Sequence, residues 1–465
     1  MQRRVCYTLG DGGCPVTHGA QGGRTTHMNS RVKLWIVTTS ACLLLLLLAG
    51  AHLGKSAATP DEGAYRQFKV FTDVLSRIKS DYVEEPDMKS VTLGAVNGLL
   101  EAVDPFASYL NADQYKQYLK EKDSLRGDVG LVLAKRYGYI AVVSVLPGSP
   151  AEKERIASGD LIESIRGIAT RDMPLAYAEL LLRGQPGTEV EITLLRVPDP
   201  EPQKVTLKRE LIAVPALKSR MLPDGVGYIR PEALVAGRSA EVAAAIRQLE
   251  KEGAKGLILD LRNCALGTPE EGAELANLFV DGGLLTYVQG QQYPRKEFRA
   301  QASKQVTRLP LVVTTNRGTA DGAEIAATAL MENKRAEVVG ERSFGDAAVR
   351  RTITLDDGGA LILSVAKFYS PAGKAIQDTG VVPTVSYVES EPVMDLEDEE
   401  LPSPPRPRSA PPSLEEDKLL KKAIEVLFKG APAATASSSP AGVDRRGAGR
   451  AGEVLTPLGT PQPVK

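Results

Sequence analysis

The chain has 465 residues, of which 43% are apolar and 25% are charged, and its formal net charge is -1. This composition is typical of globular proteins, and the length allows two or three domains with their own hydrophobic cores. Nucleic-acid binding usually needs a basic surplus or a basic face to neutralise phosphates. The near-zero charge and the lack of a lysine- or arginine-rich stripe therefore exclude nucleic acid from the predicted partners.

Histidine and cysteine usage narrows the chemistry further. The three histidines are His18, His27 and His52, so residues 53–465 can build neither a Ser-His-Asp or Cys-His catalytic site nor a zinc site that depends on imidazole. Cys264 is the one cysteine in that range, which excludes an internal disulfide and a cysteine zinc site. We predict no cofactor and no metal. A hydrolase built from these residues would need a lysine or a carboxylate as its base.

The first predicted element is the uncharged apolar stretch LWIVTTSACLLLLLLAGAHL, residues 34–53. About 20 apolar residues suffice to cross a bilayer as a helix, and the basic residues before the stretch predict a cytoplasmic N-terminal side. The rest of the chain is then expected outside the cytoplasm, in the periplasm or cell envelope. Cleavage after Ala51 would make the stretch a signal peptide, so anchored and secreted forms both stay open. The N-terminal extension, residues 1–33, is patternless, and its part up to residue 27 is compatible with an artefact of start-site choice.

Residues 60–124 are predicted to form a helical N-terminal domain. Apolar residues recur at helical spacing in FKVFTDVLSRI and VTLGAVNGLLEAV, and the turn at Asp104-Pro105 ends the second helix. Over residues 125–213 the pattern changes to short β-branched runs such as GLVLAK, YIAVVSVL and EVEITLLRV, with one helix over residues 175–182. These features predict a small β-rich module.

From residue 214 onward, strands and helices alternate. VGYIR precedes a helix over 239–251, GLILDLR precedes a helix over 269–279, LPLVVTT precedes a helix that begins near Gly322, and TITLDDGGALILSV reads as a hairpin. Such alternation predicts an α/β core over residues 214–388.

The C-terminal part contributes one more helix to that core, over residues 413–430. Ser413 and Glu416 have the spacing of a capping box at its start. An acidic and then proline-rich linker, residues 389–412, precedes the helix. Residues 431–465 are rich in alanine, serine, glycine and proline and are predicted to be a disordered tail.

A series of motifs occurs in one order between residues 65 and 430. The helical region carries DYVEEPDMKSVTLGAVNGLLEAVDPFASYL, the β-rich module carries GSPAEKERIASGDLIESIRG and LLRGQPGTEVEITLLR, and the core carries GLILDLRNCALG, NRGTADGAEI, VVGERSFGDAAVRR and FYSPAGKAIQDTGVVP. Together they resemble the C-terminal processing peptidases, also called tail-specific proteases, which are envelope or thylakoid-lumen serine peptidases with a Ser-Lys dyad. The resemblance implies a multidomain α+β fold with an N-terminal helical region, a PDZ domain in the β-rich module and a crotonase-like α/β peptidase core.

The chain departs from the family pattern at the dyad. The family reads Asn-x-Gly-Ser-Ala-Ser-Ala-Ser-Glu where this chain reads NRGTADGAE, so the resemblance puts the nucleophile position on Asp321. The lysine of the family's Gly-Lys-Gly falls on Asp346, which is 25 residues further on, the spacing of the family's dyad. A glutamine four residues after that lysine becomes Arg350. Both catalytic positions are thus expected to carry carboxyl groups.

Supporting groups are affected as well. The family's RxNxGG loop, whose glycine backbone helps to form the oxyanion hole, reads RNCALG here, with Leu266 at the first glycine and Gly267 at the second. The supporting acid downstream of the nucleophile is assigned to Glu332. The resemblance therefore implies a degraded oxyanion loop.

These replacements predict a pseudopeptidase. A Ser-Lys dyad needs a hydroxyl oxygen to attack and a neutral amine to take its proton. A carboxylate that attacked an amide would give a tetrahedral intermediate that expels the carboxylate more readily than the amine, so the anhydride would form poorly, and loss of dyad members typically costs roughly 10⁴ to 10⁶ in rate. The predicted function is a non-catalytic binder of polypeptide C-termini or a scaffold. The alternative is an active serine-type endopeptidase that cleaves near the C-termini of envelope proteins with a displaced nucleophile, and a third hypothesis is another enzyme that reuses the two acids.

Asp321 has a structural interpretation besides the catalytic one. With Glu324 three residues later it has the spacing of a capping box, and aspartate is a favoured N-cap residue. We favour this interpretation over a functional acid pair of Asp321 and Asp346. A metal site made from Asp321, Glu324, Glu332 and Asp346 is disfavoured, because acidic residues on helices and loops are usually solvated.

The other candidate nucleophiles and bases also have structural interpretations. Thr319 and Ser343 lack an evident lysine partner and are expected to be turn hydroxyls. Lys334 and Lys374 are expected to be exposed.

The β-rich module, called the PDZ-like module below, is predicted to bind peptides. The resemblance implies that a peptide C-terminus adds as a strand and that its carboxylate lies in a nest of backbone N–H groups. Partners are then polypeptide C-termini or unfolded envelope proteins, or an active protease for which the chain is a scaffold. The motif RGDVGLVL supplies the predicted peptide-binding residues, which are Arg126, Gly127, Val129, Gly130, Leu131 and Val132.

Overall fold

The computed structural model describes residues 62–388, except 123, 125, 137, 172, 197 and 198, together with 417–429 and scattered positions between 31 and 43. Most of the apolar stretch predicted over residues 34–53 therefore lies outside the described residues, as do most of the N-terminal extension, the linker 389–412 and the tail 431–465. Among the described residues, no helix has both the length and the apolarity that crossing a bilayer requires.

The chain divides into two compact units, one ending at Met88 and the other beginning at Lys89. The region predicted as one helical domain over 60–124 is thus shared between them. Its second helix ends at Val103, where the Asp104 carboxylate accepts a hydrogen bond from Phe106 N, as the predicted turn requires. The elements of this region are α1 (Glu62–Asp81), α2 (Met88–Val103), β1 (Ser108–Leu110) and α3 (Ala112–Glu121).

The PDZ-like module is an antiparallel sheet with one helix packed on it. Its strand order is β2-β3-β4-β6-β7, with β5 paired to β4. Apolar strand residues form its core, and Ile140, Ile162, Ile165 and Ile192 are fully buried. The elements are β2 (Leu131–Arg136), β3 (Tyr139–Val145), α4 (Pro150–Lys153), β4 (Leu161–Ile165), β5 (Ile168–Ala169), α5 (Leu175–Leu182), β6 (Glu189–Arg196) and β7 (Asp199–Lys208). Helix α5 has the predicted bounds.

A mostly parallel sheet forms the centre of the core. Its order is β17-β14-β13-β10-β9-β8, in which β8 alone runs antiparallel to its neighbour. The strands are β8 (Lys218–Leu222), β9 (Val226–Arg230), β10 (Gly256–Asp260), β13 (Leu311–Thr315), β14 (Glu337–Gly340) and β17 (Val385–Ser386). The helices packed on it are α6 (Arg238–Lys251), α7 (Pro269–Asn277), α8 (Gly322–Glu332) and α9 (Lys418–Lys429).

A second, antiparallel sheet includes β1 from the N-terminal region. Its order is β1-β16-β11-β12, and β15 also pairs with β16. These strands are β11 (Leu284–Gln289), β12 (Lys296–Arg299), β15 (Ala348–Thr354) and β16 (Ala360–Tyr369). The predicted hairpin corresponds to β15 and β16.

Helices α7 and α8 cross at two glycines. A Cβ on Gly272 would lie 2.0 Å from the carbonyl oxygen of Gly322, and a Cβ on Gly322 would lie 2.3 Å from that of Thr268. Only glycine permits this backbone contact, and the contact fixes the first turn of α8 against the loop that precedes α7.

Helix α9 begins later than predicted. Its first residue is Lys418, and Asp417 Oδ1 accepts a hydrogen bond from Leu420 N at 2.8 Å. Asp417 thus caps the helix, because its short carboxylate reaches the third amide of the first turn. The capping box predicted at Ser413 and Glu416 lies outside the described residues.

Candidate functional site

Three loops meet at the carboxyl ends of the parallel strands β10, β13 and β14, where open α/β sheets commonly bind ligands. Backbone hydrogen bonds join them: Ala320 N donates to Cys264 O at 3.1 Å and Asp321 N donates to Asp346 O at 2.9 Å. We call residues 261–268, 316–321 and 341–347 the site loops. The structure therefore brings together the two positions that the resemblance assigned to the dyad.

The capping interpretation of Asp321 is wrong. Its backbone has φ 53° and ψ -126°, and its side chain makes no hydrogen bond to the first turn of α8. An N-cap residue normally has extended backbone angles that aim its side chain at the helix amides. Positive φ in a residue other than glycine costs on the order of 1–3 kcal/mol and persists where the surroundings enforce it. The sharp strand-to-helix turn is the backbone geometry of a nucleophile elbow.

Glu324 holds the neighbouring loop and not the start of its own helix. Its fully buried carboxyl accepts hydrogen bonds from Ser343 Oγ, from Gly345 N at 2.7 Å and from Asp346 N at 2.8 Å. Burial raises the pKa of Glu324 to about 8, although these hydrogen bonds oppose the shift. Sequence reasoning gave Glu324 a capping role and a place in a disfavoured metal site. The available signal was a single acid inside the otherwise apolar run GAEIAATAL.

Asp346 is paired with Arg350. The Arg350 guanidinium bonds the Asp346 carboxylate and lies 4.2 Å from the ring centroid of Phe106. Phe106 in turn meets Phe344 edge to face, with centroids 5.8 Å apart. Arg350 therefore ties Asp346 to the turn after α2.

Burial and proximity shift both dyad positions toward the neutral carboxylic acid. Burial, with a further contribution from the charge of Asp346, raises the pKa of Asp321 well above its usual range. Burial also raises the pKa of Asp346, against the opposing charge of Arg350. Neither carboxyl group supplies the hydroxyl nucleophile or the neutral amine that a Ser-Lys dyad requires.

The displaced nucleophiles considered above are engaged elsewhere. Thr319 is fully buried, and its hydroxyl donates to Leu261 O at 2.8 Å and accepts from Asn316 N at 3.1 Å. Ser343 is also buried, and its hydroxyl donates to Glu324 and accepts from Val381 N at 2.6 Å. Both therefore satisfy groups of the loops, as predicted for turn hydroxyls.

Neither lysine lies at the site. Lys334 is exposed just after the last turn of α8, about 16 Å along the helix from Asp321. Lys374 is exposed in a turn in which its own N–H donates to Ser370 Oγ.

The assignment of Glu332 as supporting acid is wrong. Glu332 is the last residue of α8, and its carboxylate accepts a hydrogen bond from Ala372 N at 2.7 Å. Three helical turns separate it from Asp321, since each turn covers about 3.6 residues. In the part of the chain that the structure describes, no group of His, Cys, Asp and Glu side chains is arranged to hold a metal ion.

The oxyanion loop pairs with the segment after β9. Leu234 N donates to Leu266 O at 2.7 Å, and Thr268 N donates to Leu234 O at 3.1 Å. A Cβ on Gly267 would lie 2.7 Å from Leu234 O, so this position needs glycine. Leu266 and Gly267 thus form a short bridge beside Leu234.

The predicted carboxylate nest of the PDZ-like module is already occupied. Asp128 Oδ1 accepts hydrogen bonds from Val129 N at 2.6 Å and from Gly130 N at 2.9 Å. Val129 is fully buried, and Gly127 pairs with Gly184. These three predicted peptide-binding residues therefore serve the module's own structure. Arg126, Leu131 and Val132 keep exposed surface.

The PDZ-like module also contacts the site loops directly. Ser144 Oγ donates to Asn263 O at 2.8 Å. Ala265 and Ala320 from the loops belong to the same buried cluster as Ile140 and Val143 of the module. The β3 strand therefore covers the site loops.

Comparison with known proteins gives matches over both parts. Residues 225–387 match the profile of peptidase family S41, and residues 142–196 match that of the PDZ domain. The chain is 33% identical over 357 residues to the carboxy-terminal processing protease CtpA of Bacillus subtilis, covering 76% of this chain and 75% of that protein. It is 32% identical to the carboxyl-terminal-processing protease of Synechocystis sp., covering 66% of this chain and 73% of that protein.

A solved structure is also similar to this chain. The photosystem II D1 C-terminal processing protease matches with a TM-score of 0.57 and 26% identity, over 68% of this chain and 92% of that chain. These matches confirm the predicted combination of a PDZ domain with a peptidase core of mixed helices and sheets.

Proposed function

Because the chain belongs to the C-terminal processing peptidases of peptidase family S41, we propose that it is a member that binds polypeptides without cutting them. In this proposal the Ser-Lys dyad is replaced by Asp321 and Asp346. The PDZ-like module supplies the binding surface, and the core serves as its rigid support.

One observation carries the proposal. Asp321 and Asp346 lie at the carboxyl edge of the sheet with their backbones hydrogen-bonded to each other, and both carry half-buried acids with raised pKa values. A Ser-Lys dyad works because a neutral amine removes the proton of a hydroxyl that attacks the amide. Neither position offers a hydroxyl or an amine. Thr319 and Ser343, the nearby hydroxyls, are buried with their hydrogen bonds made inside the protein.

The proposed partners are extended polypeptide segments, such as those of unfolded proteins. Strand β2 is the terminal strand of its sheet among the described strands, and an edge strand can accept a further strand through its backbone groups. We further propose an extracytoplasmic location, in the periplasm or cell envelope, with residues 34–53 as anchor or signal peptide. This part of the proposal rests on the apolar stretch and its basic flank.

The test compares the natural full-length chain with a variant in which the family residues are restored. The triple variant Asp321→Ser, Asp346→Lys and Arg350→Gln also removes the arginine, because its charge would repel the new lysine. A matched control carries Asp321→Ala with the same two other changes. Each protein is incubated with an unfolded protein, the fragments are identified by mass spectrometry, and binding is measured on the same samples.

The natural chain is expected to bind without cutting. A triple variant that cuts, beside a control that does not, would show that the scaffold is otherwise competent. Cleavage at defined sites by the natural chain, lost on Thr319→Ala or Ser343→Ala, would establish the displaced-nucleophile alternative. Cleavage that survives both changes but is lost on Asp321→Asn with Asp346→Asn would favour an enzyme that reuses the acids.

A further inference from the structure

We infer that Asp128 makes the PDZ-like module selective for internal extended segments over free C-termini. The inference rests on the proposed function, in which the module binds polypeptides, and it names the kind of segment. Asp128 acts as a specificity-determining residue because its side chain occupies the position that a ligand's terminal carboxylate would take.

The geometry of the loop is that of a filled anion nest. One carboxylate oxygen, Asp128 Oδ1, accepts from both consecutive amides, those of Val129 and Gly130. Consecutive backbone N–H groups of this kind form the concavity that binds a peptide carboxylate in C-terminus recognition. Here an internal carboxylate of the same chemistry already satisfies both donors.

The remaining backbone groups of the loop are engaged too. The carbonyl of Val129 accepts from Ala151 N at 3.1 Å, and that of Gly130 accepts from Leu146 N at 2.9 Å. Asp128 itself exchanges two backbone hydrogen bonds with Glu210, each of 2.9 Å. The loop is therefore held on both sides, and a ligand carboxylate would have to displace Asp128 to reach the amides.

Charge works in the same direction. Arg183 Nε lies 3.4 Å from Asp128 Oδ2, and both side chains are partly exposed. The Arg183 guanidinium thus already faces a carboxylate, and a second carboxylate would meet the charge of Asp128 at short range. A repulsive group of this kind is a common means of excluding a competing ligand.

The strand-addition surface itself stays available. Strand β2 pairs with β3 on one side, beginning with Leu131 opposite Val145, and is at the edge of the sheet on the other. Leu131 and Val132 are only partly buried, next to α5. An internal segment can use this edge through its backbone amides and carbonyls, because it needs no terminal carboxylate.

The experiment uses one apolar peptide in three matched forms: free acid, C-terminal amide, and a form extended by two residues and amidated. Binding to the full-length chain is measured by calorimetry for the natural protein and for Asp128→Ala. The control Glu189→Ala removes an exposed acid of the same module, on β6. The natural protein and the control are expected to bind the amide and the extended form at least about threefold more tightly than the free acid, whereas Asp128→Ala is expected to prefer the free acid by about tenfold. Equal binding of the three forms by the natural protein would contradict the selectivity.

A second variant distinguishes the effect of filling the nest from the effect of the Asp128 charge, because its side chain still occupies the nest. Asp128→Asn keeps the accepting Oδ1 but loses the charge, so occupancy of the nest predicts that it still lacks a strong preference for the free acid. A tenfold preference of the natural protein for the free acid, unchanged in Asp128→Ala, would overturn the inference and leave the proposed function intact. Failure of every form to bind the natural protein would overturn both.

Discussion

Asp128 and Asp321 are the same residue type in two comparable places, each in a loop where the family resemblance implies contact with a substrate. Asp128 lies on two backbone amides and is bonded within its own loop. Asp321 makes no capping hydrogen bond, has a positive φ, and is half-buried, with its pKa raised by desolvation and by the charge of Asp346. The Asp128 carboxylate stabilises its loop, whereas the conformation and environment of Asp321 cost folding free energy.

The difference shows that residue type alone does not set the role of an acid in a loop. The amides of the two residues after Asp128 face its side chain, so hydrogen bonding compensates its charge. Asp321 lies at a turn fixed by the crossing of α7 and α8 and by the bond from its own N–H to Asp346 O. The turn therefore determines the environment of the Asp321 side chain.

Filling the space beside Gly130 should have the largest effect on stability. Gly130 has φ +82°, and an added Cβ would lie 2.2 Å from the Cβ of Ser149. We expect Gly130→Ala to cost about 3 kcal/mol or more, through overlap and backbone strain. Urea unfolding and hydrogen exchange of the β2 amides provide the measurement. Gly138→Ala is the control, since Gly138 has φ +79° but no heavy atom within 4 Å of an added Cβ, and we expect it to cost about 1 kcal/mol.

If Gly130→Ala and Gly138→Ala lose the same free energy of unfolding, the loop around Asp128 and Gly130 is not packed as tightly as described.

The buried acid beside Asp321 should make stability depend on pH. The pKa of Glu324 is about 8 in the folded chain against 4.5 for a free glutamate. Between these values the folded state binds more protons than the unfolded state, so stability falls as pH rises, by on the order of 2–4 kcal/mol. We expect Glu324→Gln to flatten the slope of the free energy of unfolding between pH 5 and pH 8, as followed by urea titration at a series of pH values.

Gln loses one acceptor oxygen, so Glu324→Gln is expected to be less stable at pH 5 even though its slope is smaller. The control is Glu337→Gln at an exposed position. A slope that Glu324→Gln leaves unchanged would show that other groups cause the pH dependence.

Arg350→Gln should lower the free energy of unfolding by about 1–2 kcal/mol, because the guanidinium contacts both the Asp346 carboxylate and the ring of Phe106. The matched variant Arg351→Gln changes an exposed neighbour on the same strand and is expected to cost less than about 0.5 kcal/mol. Thermal or urea unfolding at pH 7 distinguishes the two. Similar small losses for both would mean that Arg350 is merely a solvated side chain.

The smallest and most direct test exchanges each of the two aspartates for asparagine at pH 8. Asp321→Asn is expected to gain about 1 kcal/mol in free energy of unfolding, because ionising a half-buried acid with a raised pKa lowers stability above its usual pKa. Asp128→Asn is expected to lose about 0.5–1 kcal/mol, because a charged acceptor binds amides more strongly than a neutral one. The free energy of unfolding from urea titration gives both values, and changes of the same sign would break the comparison.

Local pattern predicted much of the fold. The bounds of α5 and β9 and the start of α8 agree with the structure, because each has an apolar run of clear period with a turn signal at its end. Strands β11 and β12 were not predicted. Strand β12 is largely exposed, so it lacks the alternation that burial of one face produces.

Spacing and motif order in the sequence determined the family and the PDZ-like module, and they predicted that Asp321 and Asp346 occupy the dyad positions. Only the tertiary structure decided what the acids do. Capping spacing cannot report the positive φ of Asp321, which depends on packing between α7 and α8. Nor can it report that Glu324 turns to the Asp346 loop, that Glu332 lies three turns away, or that Asp128 fills the nest. Each of these depends on backbone groups brought near by folding, and sequence periodicity does not encode such contacts.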